Sequence, residues 1–76
     1  MIKNYRDQEY LIKVGKRIVE IRKEKGITQE KLAELCELEV RQIGRIERAE
    51  TNATISIVKA IGTALDVQAS EILDFD

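Results

Sequence analysis

Apolar residues at Leu11, Val14, Ile18 and Ile21 recur every three or four positions, the period of an amphipathic helix. The run predicts a helix from near Asp7 to Lys25. Gly26 supplies a left-handed stop, and Lys23 and Lys25 sit at the negative end of the helix dipole. Thr28 is placed to cap a second helix by accepting from first-turn N–H groups, with Glu30 at the positive end. Leu32, Ala33, Leu35 and Cys36 give that helix one apolar face, and it ends near Cys36 or Glu37. A third helix follows, ending around Ala49. Val40, Ile43 and Ile46 form its single apolar stripe, and Arg41, Gln42, Arg45 and Arg48 occupy the other faces. The polar stretch from Glu50 to Thr54 reads as a loop whose Thr54 caps a fourth helix, buried through Ile57 or Val58, Ile61 and Leu65. Asp66 ends it. A short fifth helix near Ala69–Leu73 presents Val67, Ile72 and Leu73 to the core. No segment alternates with a strand's period of two, so the expected fold class is all-α, with five short helices.

Composition narrows the function. Seventy-six residues predict one domain, spanning 1–76, whose marginal core must be well patterned. Proline is absent and only three aromatics occur (Tyr5, Tyr10 and Phe75), so aliphatic side chains must build the interior. A single cysteine and no histidine exclude an intramolecular disulfide framework and a zinc site of the usual ligand set. Cys36 reads as a small core residue, because a redox-sensing thiol wants positive neighbours and Glu34, Glu37 and Glu39 surround it in sequence. A cysteine or serine nucleophile would lack a histidine base, and no glycine-rich phosphate loop is present. Neither catalysis, nor a cofactor, nor a metal is expected. No apolar run approaches the ~20 residues of a membrane span, and no secretory signal opens the chain. A cytoplasmic protein with no membrane partner is expected.

The formal net charge is −1, but its distribution is uneven. Residues 1–25 hold eight basic and four acidic side chains, whereas residues 60–76 hold four acidic ones and none basic. A basic face and an acidic tail can coexist on one small domain.

Two short helices joined by a tight turn, the second exposing arginines and an amide, form a helix-turn-helix pattern over about residues 28–48. The pattern requires a small residue where the helices cross (Ala33), an inward apolar residue in the turn (Leu38) and spaced aliphatics beneath the second helix (Ile43 and Ile46). The string Gly26-Ile27-Thr28-Gln29-Glu30-Lys31-Leu32-Ala33 resembles the first helix-turn-helix segment of the Cro and phage-repressor (XRE-like) regulators. Ile43-Gly44-Arg45-Ile46-Glu47-Arg48 is similar to their recognition helix, and Ile61 to Leu73 to their closing helices. The resemblance covers about residues 16–73 and implies a compact, five-helix lambda-repressor-like domain that binds double-stranded DNA. The chain departs from the family at Glu37, where a turn glycine is usual and a left-handed residue costs about 1–2 kcal/mol. It departs again at Glu39, in place of a small polar cap, and at Ala49 and Ala53, where glycine and proline are common.

The resemblance and helix position nominate Val40, Arg41, Gln42 and Arg45 for base edges. Arginine can grip guanine through two hydrogen bonds, glutamine can pair with adenine, and valine can pack on a thymine methyl. Thr28, Gln29, Arg48, Thr51, Asn52 and Thr54 are expected at phosphates, setting register without reading sequence. Arg22 and Glu47 match a structural ion pair of the family. Selectivity among the ~10⁶–10⁹ competing sites of a genome asks for more than one small domain, so a homodimer on a palindromic operator is expected. With no room for a separate oligomerisation or small-molecule ligand domain, its interface falls to Ile57, Val67, Ile72, Leu73 and Phe75. The competing expectation is a protein-interaction module, or an antitoxin-like partner, that keeps the fold with weak or no DNA binding. Net charge, Glu37 and Glu39 favour it, and three arginines on one helix oppose it.

Overall fold

The computed structural model describes residues 5–75, and among them five helices and no strand occur. They are α1 (Gln8–Glu24), α2 (Gln29–Cys36), α3 (Val40–Glu47), α4 (Ile55–Leu65) and α5 (Ala69–Ile72). Helix α1 packs on α3 and α5, α2 on α3 and α4, and α4 on α5. One core serves all five. Ile18, Leu32, Ile43, Ile61, Leu65 and Ile72 are completely enclosed, each contributing about 1.5–3 kcal/mol of hydrophobic stabilisation.

The helix starts follow the side-chain oxygens. Asp7 accepts from the Tyr10 N–H (3.1 Å), Thr28 from Lys31 (3.0 Å) and Thr54 from Ile57 (3.1 Å). Four helix ends share one pattern, in which Gly26, Glu37, Ala49 and Asp66 adopt φ between 57 and 68°. The following N–H then reaches back to the carbonyl five residues earlier: Ile27 to Arg22, Leu38 to Ala33, Glu50 to Arg45 and Val67 to Gly62, at 2.8–3.0 Å. Satisfying orphan carbonyls this way suits glycine. Only Gly26 meets that preference, so the turn between α2 and α3 carries its strain at Glu37, as the departure from the family pattern implies.

Three apolar expectations are corrected. Leu35 faces solvent because at 100° per residue it lies just beyond the edge of its helix's buried stripe, and Val40 does so because it is the first residue of α3, where the stripe runs out past the core. Leu11 is only half-buried, one turn before the core begins at Val14.

Helix α1 approaches α3 closely enough to exclude a side chain at Gly15. A Cβ there would lie 2.9 Å from the Ile46 carbonyl oxygen and nearer still to that of Glu47. This contact sets the height at which α3 rides on the scaffold.

Candidate nucleic-acid interface

Helix α3 buries Ile43, Gly44 and Ile46 and turns its remaining faces outward. Arg41 and Arg45, four residues apart, share one exposed stripe. Among the described residues neither side chain has a hydrogen-bond or ion-pair partner, so both guanidiniums are available in the free protein. Exposed Val40 precedes them at the N-terminal end of α3. Gln42 is already engaged: its Oε1 accepts from the Glu39 N–H at 2.9 Å, its half of a capping box at the start of α3. Its amide nitrogen remains a donor.

The base of α3 is held by a buried ion pair. Arg22 of α1 donates from Nε to Glu47 Oε2 (2.7 Å) and from Nη2 to Glu47 Oε1 (3.2 Å), with the side chains only 11% and 4% exposed. The third donor, Arg22 Nη1, reaches the Ile27 carbonyl at 2.9 Å, joining the loop before α2 to the same guanidinium. Gln29 Nε2 adds a bond to Glu47 Oε1 at 2.7 Å. The start of α2 and the end of α3 are thereby fixed to one point on α1. Gln29, expected at a phosphate, spends one amide proton inside this network.

The other residues expected at phosphates fall into two groups. Thr28 and Thr54 are exposed helix caps, each with its hydroxyl oxygen accepting a backbone N–H. Thr51 and Asn52 line a small cleft of about 150 Å³ beside Gln42 and Arg45. The Asn52 amide donates to the Tyr5 carbonyl (3.1 Å) and so ties the loop to the N-terminal segment. Arg48 is exposed and paired with Glu50, at 2.9 Å from Nε and 3.2 Å from Nη2. That hydrogen bond holds the Glu50 carboxyl below the usual carboxylate range and raises Arg48 further.

Sequence reading missed Arg6 and Gln8. Both donate to the carbonyl of left-handed Ala49, at 2.8 and 2.9 Å, and brace the chain where it leaves α3. Polar residues at the start of a helix carry no local sign of a partner more than forty positions away.

The five residues expected at an intersubunit surface do not form one patch. Ile72 is a correction: it is 0% exposed and belongs to the core, because the short α5 buries it against its neighbours. Phe75 packs on its own α1, edge-on to Tyr10 (5.1 Å between centroids) and beneath the Lys13 ammonium. Ile57 borders the cleft at α3, and Val67 lies in a separate polar depression. Only Leu73 opens onto a substantial apolar groove, of about 670 Å³, between the starts of α1 and α4 and helix α5. Ile55 stands on its rim at 81% exposure, with Tyr5 and Tyr10 beside it. Its position just after the cap and outside the buried stripe was the available signal.

Among the described residues no cluster of acidic, histidine or cysteine side chains could hold a metal, and no helix is long and apolar enough to cross a membrane. The half-buried Cys36 thiol points at the Ala60 carbonyl (3.8 Å), and burial raises its pKa.

Comparison with known proteins agrees with this geometry. A helix-turn-helix family model matches residues 18–72. The immunity repressor protein of Bacillus phage phi105 is 42% identical over 60 residues, which cover 79% of this chain and 42% of that protein. The control protein C.BamHI of Bacillus amyloliquefaciens is 39% identical over 62 residues, covering 80% of this chain and 76% of its own length. The chain thus spans less than half of the repressor and about three quarters of the control protein. Among solved structures, the restriction-modification controller protein C.AhdI from Aeromonas hydrophila superposes with a TM-score of 0.79. It is 37% identical to this chain, over 82% of this chain and 94% of that one.

Proposed function

The chain belongs to the helix-turn-helix family of DNA-binding regulators, which are not enzymes, and we propose that it reads a short palindromic operator as a cytoplasmic homodimer. The observation that carries this reading is the pair of unpartnered guanidiniums, Arg41 and Arg45, on a helix fixed from beneath by Arg22 and Glu47. Seated in a major groove about 12 Å wide, α3 presents Val40, Arg41, Gln42 and Arg45 to base edges. Thr28, Gln29, Arg48, Thr51, Asn52 and Thr54 meet phosphates on either side and set the register.

The second subunit docks on the groove beside Ile55. An isologous interface needs a projection and a recess on one face, and exposed Ile55 beside the apolar groove meets that need. The groove also carries Asp7 and Lys59, opposite charges that a two-fold axis can pair. Asn52 and Ala53 border both this groove and the cleft at α3, so an interface on the groove adjoins the face that carries α3.

Selection of bound duplexes from a random DNA pool tests the reading. A palindromic motif with half-sites about one helical turn (~34 Å) apart, lost in Arg41→Ala and Arg45→Ala, is expected. Ile55→Asp should leave a folded monomer by sedimentation. Absence of any enriched motif would refute operator reading and direct attention to a protein partner. A wild-type monomer at micromolar concentration on DNA would refute the homodimer.

A further inference from the structure

Of the three arginines on the outer side of α3 and its C-cap, Arg48 alone has a side-chain partner among the described residues. Glu50 holds it through two hydrogen bonds, and its guanidinium lies over the bare Cα of Gly44, where a Cβ would come within 2.8 Å of Nη1. Glu50 is itself placed by the helix ending: left-handed Ala49 turns the chain so that the Glu50 N–H bonds the Arg45 carbonyl at 2.8 Å. The carboxylate is thus fastened by its backbone to the same turn of α3 that carries Arg45 and Arg48. Its two oxygens meet Arg48 in the forked arrangement by which arginine also binds phosphate.

We propose that Glu50 is an internal competitor for the DNA backbone, a carboxylate in the place of a phosphate that sets the affinity of the domain by withholding Arg48. The inference rests on the DNA-binding reading and adds to it a residue that weakens binding. Before a DNA phosphate can take Arg48, the Glu50 pair must open, and the displaced carboxylate is then left close to the incoming anion. Arg48 holds the Glu50 carboxyl below the usual carboxylate range, which favours the ionised competitor in the closed pair. Both side chains are more than half exposed, so the pair is of the weak surface kind and is readily exchanged for a phosphate.

The test is a four-way comparison of wild type, Glu50→Gln, Arg48→Ala and the double variant. Each is titrated with a random-sequence duplex across a salt series, after melting curves establish that each is folded. Glu50→Gln should bind about two- to fivefold tighter at low salt. Its plot of log affinity against log salt should steepen by up to ~0.9, the release associated with one more neutralised phosphate. In the Arg48→Ala background the same substitution should bring no gain. Equal or weaker binding by Glu50→Gln overturns the proposal, as does an undiminished gain without Arg48, which would reduce Glu50 to a general repulsive charge. If none of the four proteins binds duplex at low salt, the DNA-binding reading itself fails. Binding by wild type with no response to Glu50→Gln refutes the competitor alone.

Discussion

Glu47→Ala should be the most damaging single substitution at the polar base of α3. It removes the acceptor of two Arg22 hydrogen bonds and one Gln29 hydrogen bond, leaving the guanidinium only the Ile27 carbonyl. With 11% of the Arg22 side chain exposed, water cannot replace what is lost. Breaking a buried pair from one side costs about 3–5 kcal/mol. A domain of 76 residues has a total stability of about 4–11 kcal/mol at the usual per-residue values, so this loss takes about a quarter of it or more. At about 4–8 °C per kcal/mol the midpoint should fall by about 12–40 °C. Far-ultraviolet circular dichroism measures the midpoint on heating and the free energy on urea unfolding, with the slope m unchanged if both states keep their extent. Replacing both partners by apolar side chains of similar size, as in Arg22→Met with Glu47→Leu, should recover most of the loss, because no lone buried charge remains. A Glu47→Ala cost below about 1 kcal/mol would refute the argument, since that is the worth of an exposed pair.

Gly15→Ala should destabilise by about 1–3 kcal/mol in the same assay, because its Cβ meets backbone carbonyls of α3 that cannot step aside. A neutral result would mean that α1 and α3 are farther apart than described. Glu37→Gly should stabilise by roughly 0.5–1 kcal/mol, the left-handed strain of about 1–2 kcal/mol less the added entropy of a glycine in the unfolded chain, whereas Ala49→Gly should be near neutral because it also loses a buried methyl worth about 0.8 kcal/mol. Loss of stability in Glu37→Gly would contradict the positive φ. Cys36 should react with iodoacetamide at pH 8 far more slowly in the native protein than in urea, because burial raises its pKa and its thiol is half-covered beside Ala60. Equal rates would place the thiol in open solvent.

The helix order and most helix limits were legible because they depend on nearby residues. The caps at Thr28 and Thr54 act within three positions, and the stripe from Val14 to Ile21 repeats often enough to fix its face. Leu35 was misread as part of a buried face because an eight-residue helix offers too few repeats to locate the edge of a stripe, whereas Val40, on the stripe of α3 but at its first residue, is exposed as a base-edge role requires. The Arg22–Glu47 pair was accessible only through family resemblance, since no spacing rule joins residues 25 positions apart. The bracing of Ala49 by Arg6 and Gln8, the capture of Gln42 by its own cap and the return of Phe75 to α1 depend on where the chain arrives in space. The expected intersubunit residues scattered for a related reason. An excess of apolar residues near the C-terminal end does not reveal how many of them the core of so small a domain consumes.

The fastening of Arg6 and Gln8 to the Ala49 carbonyl also bears on how the protein is made. Those two side chains leave the ribosome early, yet their acceptor follows 41–43 residues later, about 2–9 s at ordinary elongation rates of about 5–20 residues per second. Arg17 waits longer still, for the Glu71 carbonyl 54 positions on. The nascent chain therefore cannot make these contacts until the later segments have been synthesised. A bulky fusion at the N-terminal side would stand beside the exit of α3, whereas the same cargo at the other end would leave that junction clear.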